Sequence, residues 1–222
     1  SPALKARIVK HYADWYGVTV NPAQILLTCG ASPALVLALN MSFAPGDRVA
    51  FARPGYVAYR NTLKALHMEP VELGCGEAER YQMSAKALAA LDPAPKGLIL
   101  ASPANPTGTI IPREELAAIA EVCRQHGITI ISDEIYHGIS YGTRTPSILE
   151  VEPQALVVNS FSKYWSMAGW RLGWLLVPPS GIDAARARMG NLFLTPPSLA
   201  QHAATVAMDC TADLQANIAT YT

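Results

Sequence analysis

Short apolar runs decide what this chain can fold into: residues 49–52 (VAFA), 97–102 (GLILAS), 128–132 (ITIIS) and 155–159 (ALVVN). Each is too short for an ordinary helix and is apolar at successive positions. That pattern fits strands covered on both faces rather than half-exposed ones. Segments of helical periodicity separate them. Leu4, Ile8, Tyr12 and Trp15 share one face of a first helix that stops near Gly17. Pro112 opens another, with Glu114 and Glu115 in its first turn, Leu116, Ile119, Ala120 and Cys123 as its apolar stripe, and Gly127 at its end. Strands alternating with helices predict an α/β fold around a mostly parallel sheet.

The remaining segments follow the same plan. Residues 25–28 and 69–73 read as strands, and residues 171–177 as a strand-like run. Residues 34–43 read as an apolar helix, with Ser32 as N-cap and Pro33 in the first helical position. A helical stretch runs from Tyr56 to residue 66, and Ser84 caps a short helix reaching residue 91. Residues 138–154 are irregular. Ile182, Ala185, Met189, Leu192 and Phe193 mark a long amphipathic helix, and Leu199, His202, Ala203, Val206 and Cys210 mark another after a break at residues 195–198.

Half of the 222 residues are hydrophobic and 15% are charged, which suffices for one large core. The formal net charge of zero gives no electrostatic footprint for nucleic acid or for an acidic membrane surface. No apolar run is long enough to span a bilayer, and no secretory signal pattern is present. Cys29, Cys75, Cys123 and Cys210 fit neither a zinc nor a redox spacing and read as reduced thiols of a cytoplasmic protein. The scattered histidines give no metal site.

Polar residues cluster where the strands end. After residue 28 comes Gly30-Ala31-Ser32, a glycine turn into a helix N-terminus whose free N–H groups suit an anion. Tyr56 follows another strand; it is either core or a platform for a flat ring. Asn105 lies in the turn 103–108 (PANPTG), as turn chemistry or as an amide reaching into a site. Asp133 ends an apolar strand, and a carboxylate there needs a partner. Ser160, Ser162, Lys163 and Arg171 combine an amine, two hydroxyls and a guanidinium. Taken alone, Lys163 reads better as a solvated lysine in a loop, and Arg171 as a surface charge. Taken together they suit an anionic, carbonyl-bearing ligand: an amine forms Schiff bases, and hydroxyls with an arginine hold phosphate.

Gly30-Ala31-Ser32, Asn105-Pro106-Thr107-Gly108, Asp133-Glu134-Ile135-Tyr136 and Ser160-Phe161-Ser162-Lys163 with Arg171 stand each just after a strand. In this order they resemble the pyridoxal-phosphate-dependent class I/II aminotransferases of fold type I, and the resemblance covers nearly the whole chain. It implies a three-layer α/β/α large domain with a mostly parallel, mixed central sheet, holding pyridoxal 5′-phosphate. It further implies that Lys163 forms the internal aldimine and shuttles a proton, and that Asp133 pairs with the pyridinium nitrogen. Asn105 and Tyr136 would hydrogen-bond the ring's phenolic oxygen, and Tyr56 would stack on its face. The backbone of Ala31 and Ser32, the hydroxyls of Ser160 and Ser162, and Arg171 would hold the phosphate.

The resemblance also implies parts beyond this chain: an N-terminal arm before Ser1, and a small domain after Thr222 carrying the arginine for the substrate's α-carboxylate. Residues 1–222 are therefore expected to be the large-domain portion of a longer polypeptide that forms a homodimer. The implied activity is ping-pong transfer of an amino group between an amino acid and a 2-oxo acid. Residues 167–173 (MAGWRLG) look most like the aspartate/alanine/aromatic branch. Two other functions share the scaffold: a carbon–sulfur lyase or cyclopropane-forming synthase, and the aminotransferase-like domain of a transcriptional regulator. An acceptor-independent release of ammonia would mark the lyase, and a DNA-binding segment upstream of Ser1 would mark the regulator.

Overall fold

The apolar runs all become strands of one sheet. The computed structural model describes residues 1–220. Strands β1 (Ile25–Thr28), β2 (Arg48–Arg53), β3 (Glu69–Gly74), β4 (Gly97–Ala101), β5 (Thr129–Asp133), β6 (Leu156–Ser160) and β7 (Gly173–Leu176) lie in the spatial order β1-β7-β6-β5-β4-β2-β3. The pairs β2–β3, β2–β4, β4–β5 and β5–β6 are parallel, and β7 runs antiparallel to both β6 and β1.

Alternate residues of each strand feed two separate cores, which is why the runs are apolar throughout. Leu26, Ile99, Ile131, Leu156, Val158 and Leu175 face α2 (Ala31–Ser42), α3 (Ala58–Ala65) and α6 (Ile182–Leu192). Leu27, Leu98, Leu100, Ile130, Val157, Trp174 and Leu176 face α1 (Pro2–Tyr16), α5 (Arg113–His126), α7 (Ser198–Ala207) and α8 (Thr211–Ala219). The result is the expected three-layer α/β/α arrangement. The short α4 (Ala85–Ala89), capped by Ser84, packs beside α5. Each fully buried Leu, Ile or Val contributes about 1.5–3 kcal/mol.

Four expectations need correction. Helix α2 begins at Ala31, with Gly30 at φ 99° as its N-cap, so Ser32 lies within the first turn and caps nothing. The left-handed backbone available to glycine starts the helix earlier than a serine cap would. In α6 the expected stripe buries only Ala185. In α7 the buried face is Ala200, Gln201 and Ala204, while Leu199 and Val206 are 72% and 66% exposed. Small residues there let α7 pack against α1, and Gln201 is held by its side-chain bond to the Pro196 carbonyl. Helix α8 was not anticipated as an element separate from α7.

The reversal at β7 positions the site. A strand that returns antiparallel starts where its predecessor ends. Gly173 pairs with Ser160 of β6 on one side and Thr28 of β1 on the other. Lys163 after β6, Arg171 before β7 and Ala31 after β1 are thereby brought to one edge. The exits of the parallel strands β2, β4 and β5 lie on that same edge, where open α/β sheets bind ligands.

Candidate active site

A cleft of about 300 Å³ opens along this edge. Ala31, Ser32, Tyr56, Asn105, Asp133, Tyr136, Ser162, Lys163 and Arg171 all line it. Ser160 does not. It is fully buried, and its hydroxyl sits 3.1 Å from the Leu172 carbonyl and 2.8 Å from the Ser162 hydroxyl. It also accepts from the Ser162 amide at 3.0 Å. Ser160 thus shapes the turn that presents Ser162.

The anion-binding corner is built from backbone. The first amides of α2 have no partner within the helix. Thr28 Oγ1 pins the turn by donating to the Gly30 carbonyl at 2.8 Å. Arg171 follows a 3₁₀ turn (Ala168–Trp170) with φ 49°, a left-handed conformation unusual for a side-chain-bearing residue. This lays its guanidinium against Gly30, where a Cβ would sit 2.5 Å from Nη2. Its Nη1 donates to the Ala168 carbonyl at 2.9 Å. Among the described residues no carboxylate forms an ion pair with Arg171 or Lys163. The Lys163 ammonium instead lies 5.5 Å from the centre of the Tyr136 ring.

Asp133 is 8% exposed. It accepts from Tyr59 Oη at 2.6 Å and from the Ile135 amide at 3.2 Å. Burial pushes its carboxyl above the usual range, against the pull of these two bonds. A cation beside it would relieve that cost. Tyr59 was missed in the sequence, where only Tyr56 stood out. Tyr56 precedes α3 and stays half-exposed, whereas Tyr59 lies buried in its first turn, so no shared helical face linked the two. Asn105 Nδ2 donates to Tyr136 Oη at 3.4 Å, so the exits of β4 and β5 meet.

An amine, a guanidinium with no ion-pair partner beside the first amides of a helix, and a buried carboxylate in one cleft match a ligand with an aldehyde, a phosphate and a basic ring nitrogen. The sequence profile described as aminotransferase class I and II matches residues 1–221. The chain belongs to the class I and II aminotransferases. The valine–pyruvate aminotransferase of Mycobacterium tuberculosis is 47% identical over 224 residues, which cover 99% of this chain and 58% of that protein. The aspartate aminotransferase of Geobacillus stearothermophilus is 36% identical, over 93% of this chain and 54% of that protein. A crystal structure of an aminotransferase from Mycobacterium tuberculosis superposes with a TM-score of 0.96 at 46% identity, covering 100% of this chain and 58% of that one. The chain thus spans little more than half the length of these aminotransferases, whose family depends on pyridoxal 5′-phosphate.

Proposed function

We propose that residues 1–222 are the cofactor-binding large domain of a longer aminotransferase, which moves an amino group between an amino acid and a 2-oxo acid. The observation that carries this is the joint presence of Lys163, Asp133 and Arg171 on one cleft wall. Bound there, pyridoxal phosphate supplies an aldehyde that captures amines covalently and a ring that accepts their electrons. Lys163 anchors it and moves the substrate's Cα proton. Asp133 holds a proton on the ring nitrogen, and Tyr59 orients Asp133. Asn105 and Tyr136 donate to the phenolic oxygen, and Tyr56, 42% exposed at the cleft, covers the ring. The amides of Ala31 and Ser32 with Ser162 and Arg171 take the phosphate, with Ser160 supporting Ser162.

The greater identity to the valine–pyruvate enzyme favours a neutral aliphatic amino donor with pyruvate as acceptor. The assembly we propose is a cytoplasmic homodimer. Exposed Leu192, Leu194, Leu199 and Val206 offer apolar surface for a partner, and the four cysteines are free, as a reducing compartment requires. Among the described residues no helix is long and apolar enough to cross a membrane.

Borohydride treatment of the cofactor-loaded full-length protein, followed by peptide mass spectrometry, tests the assignment. The cofactor should be fixed on Lys163 and the fixation lost in Lys163→Ala. A label on Lys64, Lys86 or Lys96 would overturn it. Amino transfer should require a 2-oxo acid; release of ammonia without one would replace transfer with elimination.

A further inference from the structure

One buried imidazole joins the two loops that carry Asn105 and Tyr136. His137 is 3% exposed and lies one residue after Tyr136. Its Nε2 is 2.9 Å from the Ser102 carbonyl, and its Nδ1 is 2.7 Å from Tyr16 Oη. A carbonyl only accepts, so Nε2 carries the proton. The bare Nδ1 then accepts from the Tyr16 hydroxyl. Glu134 Oε2 lies further off, at 3.5 Å from Nδ1. Glu134 is already engaged by Ser132 Oγ, Ser147 Oγ and the Ile148 amide, at 3.3, 2.9 and 2.9 Å. The Ser102 carbonyl therefore sets the tautomer, and Tyr16, donating to the bare Nδ1, holds the ring in that orientation.

Ser102 begins the turn that delivers Asn105. The base of that turn is held from the other side as well: Gln82 Nε2 donates to the Ala101 and Thr109 carbonyls at 3.2 and 2.7 Å, and Ser102 Oγ accepts from the Ile111 amide at 2.9 Å. His137 is the one member of this set that belongs to the β5 exit, and its own amide is turned in by the Glu134 carbonyl at 3.0 Å. That cross-link ties the turn bearing Asn105 to the loop bearing Tyr136, beyond the last β4–β5 pair at Ala101 and Asp133.

We infer that His137, oriented by Tyr16, is a positioning residue that sets Asn105 and Tyr136 relative to each other, and through them the proton affinity of the Lys163 nitrogen when cofactor is bound. This rests on the aminotransferase reading. Donors to the phenolic oxygen draw its negative charge away from the neighbouring protonated nitrogen, so loosening them raises that nitrogen's affinity for its proton. His137 itself stays neutral over the working range. Burial brings its pKa down to about 4, with Arg144 pushing the same way and Asp133 and Glu150 opposing. Tyr16 and His11 of α1 and Glu134 complete the titratable groups facing it.

The test uses the full-length protein loaded with pyridoxal phosphate. The pH midpoint of the cofactor's visible absorbance, kcat and thermal stability are compared in wild type, His137→Leu, His137→Gln and Tyr16→Phe. In His137→Leu the midpoint should rise by about one pH unit, and kcat should fall on the order of 10- to 100-fold through misplaced groups. His137→Gln, which keeps a donor for Ser102, should recover most of both. Tyr16→Phe should shift the midpoint in the same direction by less. A wild-type midpoint in folded His137→Leu overturns the inference, as does a wild-type midpoint in Tyr16→Phe should His137→Leu fail to fold. Failure of the aminotransferase reading is separate: wild type would then show no fixation on Lys163.

Discussion

At the scale of single residues, the Tyr59–Asp133 bond is the contact that most constrains the chemistry. Burial makes the charged form of Asp133 costly, and two donors offset part of that cost. A hydrogen bond to a charged group contributes about 1.5–3 kcal/mol. Tyr59→Phe removes this donor while keeping the ring's edge-on packing with Phe51 and Tyr56. We expect the full-length variant to keep its cofactor and its melting temperature within a few degrees. Its kcat/KM should fall roughly tenfold or more, as loss of a 1.5 kcal/mol bond implies. Steady-state kinetics would show this; unchanged kcat/KM would mean that Asp133 needs no help from Tyr59. The sequence marked Asp133 because a carboxylate after an apolar strand demands a partner. It could not name Tyr59, which is 74 residues away in the chain.

At the scale of elements, the start of α2 governs the anion corner. Gly30 is required twice over: its φ of 99° is strained for any other residue, and a Cβ would meet the Arg171 guanidinium at 2.5 Å. Gly30→Ala should displace both the first amides of α2 and Arg171. The affinity for pyridoxal phosphate, read by absorbance titration, should weaken by about tenfold or more, in line with 1–3 kcal/mol of backbone strain. A neighbouring change on the same helix that avoids the corner, Asn40→Ala on its exposed side, should leave it unchanged. Equal affinities in the two variants would contradict the assigned role of this corner. The glycine turn and helix were legible from residues 29–33, but the cap was not: serine and glycine both begin helices, and only the path of Arg171 against the backbone discriminates between them.

At the scale of the whole molecule, Glu134 ties the end of β5 to the 145–148 segment and makes stability depend on pH. Burial raises its pKa from 4.5 to about 7. A raised carboxyl favours the folded state most when protonated. Its contribution is therefore complete below pH 4.5 and lost as pH rises through about 7, a change of about 3 kcal/mol. Glu134→Gln keeps the shape without the charge. The stability of wild type relative to this variant should fall steadily across that interval, measured by denaturant unfolding at a series of pH values. A difference independent of pH would show that Glu134 is not ionising there.

Within about ten residues, the sequence by itself determined the strands, most helices and the polar residues after each strand, because apolar period, capping and turn chemistry act locally. That sufficed for the α/β architecture; Asn105, Asp133, Lys163 and Arg171 were joined into one expected ligand-binding set by the resemblance of their motifs to a known family. Tertiary structure alone decided the rest. The antiparallel return of β7 brings Arg171 beside Gly30, and the strand order sets β4 next to β5, so that Asn105 meets Tyr136. Helix α1 reaches across 121 residues to hold the ring of His137 through Tyr16. The buried face of α7 is also a tertiary outcome: its small residues meet α1 while Leu199 and Val206 stay exposed. Such contacts join groups far apart in the chain. Their partners follow from which strands lie side by side and which helices cover them, and no local pattern encodes that order.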